Sequence, residues 1–152
     1  MRKTLERTQL IARPRAEVFD FFEDAHNLES ITPPFLKFRI TTPGRIEMRE
    51  GARIDYKLAL FGIPFGWKTR IDAYERNDHF VDRQLSGPYK TWIHTHRFLD
   101  ADGGTRMTDH VEYEAPLGPI GTIAEALFVT RMVERIFDYR AEVIGKHFAV
   151  GS

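Results

Sequence analysis

Residues 92–98 read Trp-Ile-His-Thr-His-Arg-Phe and residues 105–113 read Thr-Arg-Met-Thr-Asp-His-Val-Glu-Tyr, with Asp-Ala-Asp-Gly-Gly at 100–104 between them. Strand side chains alternate with period two, so Trp92, His94, His96 and Phe98 share one face of a first strand. Met107, Asp109, Val111 and Tyr113 share one face of a second. A four-residue loop at 101–104 makes the two an antiparallel hairpin. That pairing sets Phe98 opposite Met107, His96 opposite Asp109 and Trp92 opposite Tyr113. Two imidazoles and a carboxylate are thereby expected to meet among aromatic rings, facing inward.

The pattern extends on both sides of this hairpin. From Leu36 onward, β-prone runs at about 36–41, 46–60, 67–76 and 79–85 precede it, divided by Pro43-Gly44, Gly51, the run 62–66, Asn77-Asp78 and Ser86-Gly87-Pro88. Ile54, Tyr56, Leu58 and Leu60 alternate with Arg53, Asp55, Lys57 and Ala59, which gives one dry face and one wet face. Upstream, residues 3–11 read as a strand. Pro14 then opens a short helix whose Val18, Phe21, Phe22 and Ala25 recur at helical spacing, and a further helical turn follows before Thr32-Pro33-Pro34.

Downstream of the Pro/Gly segment 115–121, Thr122 is a natural N-cap, with Glu125 three residues on, for a helix running to Phe148. Val129, Met132, Val133, Ile136, Phe137, Val143, Ile144 and Phe148 cover about half its girth, wider than an ordinary amphipathic stripe. Arg140 sits near the middle of that apolar arc. A cation there is costly unless paired, so a carboxylate or an anionic ligand group is expected in reach, with Asp109, Asp82 and Asp55 as candidate partners.

Bulk properties narrow the function classes. The 152 residues suit one domain, 1–152, large enough for a substantial core. Twenty-two basic and twenty-two acidic residues balance to zero, which argues against nucleic acid or an anionic membrane as partner. The absence of cysteine excludes disulfides, thiolate nucleophiles and thiolate metal sites. No apolar run approaches the ~20 residues of a membrane span, and the chain opens without a signal-type segment, so a cytoplasmic, bacterial-type protein is expected. There is no phosphate loop, zinc-finger spacing or nucleophile elbow, and no cofactor is expected.

The order strand, two short helices, six strands, long helix describes an α+β helix-grip domain, a curved seven-stranded antiparallel sheet wrapped around its C-terminal helix. It resembles the START-like superfamily, also called SRPBCC or Bet v 1-like. The resemblance rests on Pro14-Arg15-Ala16-Glu17-Val18-Phe19, on Phe19-Asp20-Phe21-Phe22 with Asn27-Leu28 and Ile31-Thr32-Pro33-Pro34, and on Phe80-Val81-Asp82-Arg83-Gln84, Gly87-Pro88-Tyr89, residues 92–96 and residues 104–109. These latter strings are similar to a bacterial stand-alone subgroup grouped with polyketide cyclase/dehydrase-like proteins. The resemblance implies a hydrophobic small-molecule site between sheet and helix. Its inward candidates are Tyr56, Leu58, Trp67, Thr69, Trp92, His94, His96, Met107, Asp109, Tyr113, Met132, Ile136 and Arg140.

His94, His96 and Asp109 admit three readings: a polar wall that recognises a ligand, an acid/base set for cyclisation or dehydration with His96 oriented by Asp109, or a two-histidine, one-carboxylate metal site. The first is favoured, and no metal is expected. The apolar loops 61–66 and 115–121 are candidates for a gate or for a partner contact, which leaves a homodimer or a non-catalytic interaction domain open.

Overall fold

The computed structural model describes residues 2–60, 62–115 and 123–149, with side chains in the last segment described from residue 129. Strand β1 (Lys3–Ile11) leads into helices α1 (Arg15–Glu23) and α2 (Asn27–Ser30), a 3-10 turn at Pro34–Leu36, and strands β2 (Arg39–Ile40), β3 (Arg53–Leu60), β4 (Ile63–Glu75), β5 (His79–Ser86), β6 (Thr91–Ala101) and β7 (Gly104–Glu114); helix α3 (Ile123–Ala149) closes the order. The strands form one antiparallel seven-stranded sheet in the order β1-β7-β6-β5-β4-β3-β2. This is the helix-grip architecture expected from the sequence.

The hairpin register is as read: Phe98 pairs with Met107, His96 with Asp109 and Trp92 with Tyr113. The turn is tighter than expected. Ala101 pairs with Gly104, leaving only Asp102 and Gly103 outside the ladder, with Gly103 at φ +78. Three other boundaries move for identifiable reasons. The run 46–52 is not strand, because the chain turns there: Ala52 N–H donates to Arg49 O, and Gly51 adopts φ +88. The run 36–41 keeps only Arg39–Ile40 as strand, since Pro34–Leu36 is taken by the 3-10 turn. The run 62–66, read as a separator, lies mostly in β4. Pro64 is tolerated because β5 pairs with β4 only from Lys68 onward, so Pro64 has a ladder neighbour on one side alone.

The gripping curvature has a local cause in β4. Its register against β5 shifts at Lys68/Thr69 and again at Ile71/Ala73, and such irregularities bend a strand and increase its twist. The concave face carries two apolar clusters. One gathers Tyr56, Trp67, Trp92, Tyr113, Val133 and Phe137. The other gathers Phe19, Phe22, Phe80, Phe98, Met107 and Ile144, where Phe19 and Phe98 meet edge to face at 5.2 Å. Helix α3 buries Val133, Phe137, Arg140, Ile144 and Phe148, a spacing of three and four residues that matches the apolar arc read from the sequence. The proposed N-cap Thr122 lies outside the described residues, as does the side chain of Glu125.

Gly104 marks the tightest approach in the sheet. A Cβ there would lie 2.0 Å from the Ile11 carbonyl oxygen and 2.9 Å from Ala12 Cα, atoms that cannot turn aside. Gly104→Ala is therefore expected to cost about 2 kcal/mol or more in urea unfolding. Gly103→Asn, at a position open to solvent whose φ asparagine tolerates, is expected to stay within about 1 kcal/mol of wild type.

Candidate functional site

Between the two apolar clusters the concave face turns polar. His94, His96, Asp109 and Arg140 are all buried, at 5%, 2%, 4% and 6% exposure. Period-two alternation on β6 and β7 brings the first three inward, and the helical spacing that aims Phe137 and Ile144 at the sheet aims Arg140 there too. Arg140 Nη2 donates to Asp109 Oδ1 at 3.2 Å. Of the three carboxylates considered from sequence, Asp109 is the ion-pair partner; Asp55 lies on the other face of β3. The guanidinium also stands 5.2 Å from the Phe22 ring centre and 5.7 Å from that of Phe137.

Side-chain pairing differs from the backbone register. His96 and Asp109 are opposite neighbours, yet His94 Nε2 hydrogen-bonds Asp109 Oδ1 at 2.8 Å and His96 Nε2 hydrogen-bonds Asp82 Oδ2 at 2.6 Å. Both bonds run diagonally across adjacent strands. The right-handed twist slides inward side chains toward such diagonal partners. The expected orientation of His96 by Asp109 is thus corrected: Asp109 holds His94, and Asp82 holds His96. The two imidazoles stack at 3.6 Å, and Phe80 stacks on the far side of His96 at 4.1 Å. Nη2 of Arg140 lies 3.4 Å from His96 Nδ1.

A cavity of about 130 Å³ opens onto this cluster. Tyr56, Leu58, Trp67, Thr69, Trp92, His94, His96, Ile136 and Arg140 line it, as the sequence placed them. Met107, Asp109, Tyr113 and Met132 do not. Met107 packs into the phenylalanine cluster, Asp109 is covered by His94 and Arg140, and Tyr113 turns its hydroxyl toward Thr130 Oγ1 at 3.3 Å. Met132 lies at the border of the helix's apolar arc and is half-exposed. The sequence reading underrated Asp82, although Phe80 and Asp82 share a strand face. It also missed Leu28 on the single turn of α2 and Ile31, Leu36 and Phe38 on the irregular chain after it, which line the cavity from segments too short to show a period. Of the two suggested gate loops, Phe61 and residues 116–121 lie outside the described residues.

The cavity keeps two donors without a hydrogen-bond partner among the described residues, Trp67 Nε1 and Arg140 Nε. Elsewhere its polar groups satisfy each other, as in the 2.7 Å Tyr56–Thr69 hydroxyl bond. Burial, and then the neighbouring Asp82 charge, push the Tyr56 hydroxyl far above its ordinary value, so it remains protonated. Burial alone would raise Asp109. The Arg140 charge and the His94 bond overcome it, and the carboxyl stays well below the usual range. Asp82 is likewise lowered: burial raises it, but the His96 bond and the imidazole charges prevail. His96 is pushed down to about 4, first by burial and then by repulsion from stacked His94, with Asp82 opposing.

These charges set the response to acid. Folded His96 refuses a proton that the unfolded chain accepts near 6.5, so its contribution is complete above that pH and is lost as pH falls toward 4. Urea unfolding is expected to show a loss of about 3 kcal/mol between about pH 7 and about pH 4, and His96→Gln should flatten that interval. Removing Arg140 strands a buried carboxylate. Arg140→Met is expected to cost about 3–5 kcal/mol, and the double variant with Asp109→Asn to be more stable than the single.

The model of the family described as polyketide cyclase/dehydrase and lipid transport matches residues 2–148. Solved structures share the fold at low identity. The Zhui aromatase/cyclase from Streptomyces sp. R1128 superposes with TM-score 0.77 at 18% identity, covering 98% of this chain and 94% of that one. TTHA0849 from Thermus thermophilus gives 0.75 at 17%, covering 99% and 100%. The major latex-like protein 151 from Panax ginseng gives 0.66 at 14%, covering 97% and 98%. No curated protein matches the sequence. Among the described residues no helix is long and apolar enough to cross a membrane.

Proposed function

The chain belongs to the polyketide cyclase/dehydrase and lipid transport family, and we propose that it binds a small aromatic or hydrophobic molecule with one polar or anionic end in the cavity between its sheet and α3. One observation carries this reading: a mostly apolar, aromatic-walled cavity meets a polar wall where Arg140 Nε is a buried donor without a partner among the described residues, and Trp67 Nε1 is a second such donor on the aromatic side. Leaving such donors unpaired costs about 1–3 kcal/mol each, a cost that an acceptor oxygen on a ligand removes. The remaining surface offers Tyr56, Leu58, Trp92 and Ile136 to an apolar body.

The cavity volume bounds the ligand. At about 130 Å³ it is comparable to the roughly 150 Å³ apolar cavities that take up benzene. One substituted ring fits without rearrangement; a larger body requires the cover formed by Leu28, Ile31, Leu36 and Phe38 to move. A cyclase or dehydratase reading has one specific support, a neutral imidazole at His96 beside the ionised Asp82. In it His94 and His96 would meet the substrate and Asp109 would position His94.

Native mass spectrometry of freshly purified protein is expected to find a co-purifying compound at one per chain. Benzoate and toluene are expected to quench Trp67 and Trp92 fluorescence, with benzoate binding at least about tenfold tighter. Ile136→Trp should plug the cavity and abolish quenching while the melting transition stays cooperative. Equal binding of both probes, or unchanged binding in the plugged variant, would overturn the proposal. A probe or co-purified compound that changes mass on incubation would support the catalytic reading.

A further inference from the structure

The sequence suggested Asp109 as the carboxylate of any metal site, and the structure removes it from that position by placing it behind His94. It puts another carboxylate in front. Asp82, His94 and His96 each bring one ligand atom to within 4.8 Å of the other two, with His94 Nδ1 and His96 Nε2 at 3.7 and 2.6 Å from Asp82 Oδ2, and all three residues line the cavity. We propose that Asp82, His94 and His96 form a binding site for one divalent transition-metal ion, zinc or ferrous iron, at the polar end of the cavity.

Orientation is the first support. His94 turns Nδ1 toward Asp82 and gives Nε2 to Asp109 behind it at 2.8 Å. Metal-ligating histidines are held in this manner, with a carboxylate or similar partner fixing the ring from the side away from the ion. Asp109 is itself fixed by Arg140 at 3.2 Å, so the support behind His94 is in place before any ion arrives.

Spacing is the second support. His94 Nδ1 stands 3.7 Å from Asp82 Oδ2, too long for a hydrogen bond. Two donors bound to one ion at ~2.0–2.2 Å lie roughly 3–3.5 Å apart, so this gap is close to a bridged one. The 2.6 Å contact between His96 Nε2 and the same oxygen must lengthen. A modest rotation of Asp82, less enclosed than the histidines at 16% side-chain exposure against 6% and 2%, provides that.

Charge is the third. A metal binds imidazole in its neutral form, and with both rings so bound the Asp82 and Asp109 carboxylates against the Arg140 guanidinium leave one net negative charge to meet the ion. A divalent ion changes that sum to one positive, which an anionic oxygen of a cavity ligand would neutralise at a coordination position left open by only three protein donors. Two imidazoles and one carboxylate suit zinc or ferrous iron and not calcium or magnesium.

The test uses the full chain after chelator treatment and dialysis, without any organic ligand, so its outcome is separate from the ligand reading above. Titration with Zn²⁺ by calorimetry is expected to give one ion per chain. Co²⁺ is expected to give visible d–d absorption of a low-coordinate nitrogen/oxygen site. Asp82→Asn, nearly isosteric, is expected to weaken Zn²⁺ at least about 100-fold, and Asp109→Asn about 10–100-fold as a supporting group. Both variants are checked for a wild-type circular dichroism spectrum and a cooperative melt, and His94→Gln serves in place of any variant that fails. The proposal is overturned if Co²⁺ remains octahedral and pink, or if Zn²⁺ binding is unchanged in Asp82→Asn and His94→Gln. It is overturned equally if binding disappears instead in Asp78→Asn, which disables the surface group Glu75, Asp78 and His79.

Discussion

A guanidinium on the buried face of a helix has to be neutralised, and here Arg140 is neutralised by Asp109, reaching up from β7. The pair ties α3 to β7 in a contact that is otherwise mainly apolar, apart from the Tyr113–Thr130 hydroxyl bond nearer the start of the helix. A buried pair of this kind contributes little net stability compared with apolar residues of the same volume, because desolvation consumes most of the attraction. Its effect is on position. Leucine or methionine at 140 would let α3 slide along the groove, whereas a charge that must meet Asp109 sets the helix at one height above the histidines.

That height decides what the cavity is. With Arg140 seated on Asp109, His94 is held from behind, His96 is wedged between His94 and Phe80, and Asp82 becomes the outermost polar group facing the open volume. The aromatic cluster around Trp67 and Trp92 then forms the apolar end. The two ends of one cavity thus differ in chemistry because two halves of the same strands differ in sequence: Trp92 at one end of β6, Phe98 at the other, and the histidines between.

Much of this was legible from residue patterns alone. Period-two alternation placed His94, His96 and Asp109 inward and paired the hairpin correctly, because register is rigidly specified where one face is buried. The arc on α3 identified Arg140 as buried, since a cation among Val133, Phe137 and Ile144 has no other reading. Three things were not legible. Side-chain partners are chosen by strand twist, which moved Asp109 from His96 to His94 and brought in Asp82. The cavity cover comes from irregular chain around Leu36 and Phe38, where no period exists to be read. The extent of β4 was hidden by Pro64 and Gly66, which signal a turn locally but are permitted in a strand that has lost one neighbour.

The pairing of β1 with β7 carries a consequence for how the molecule assembles. Strands β3 to β7 join each neighbour through short connections, whereas β1 pairs Lys3 with Tyr113 and Ile11 with Thr105 across almost the whole intervening chain. Loop closure over such a separation is entropically slow and is repaid only when the ladder is complete. The β1–β7 ladder is therefore the longest-range closure of the sheet, and Gln9 Nε2 extends it to α3 by donating to the Ala141 carbonyl oxygen at 2.9 Å.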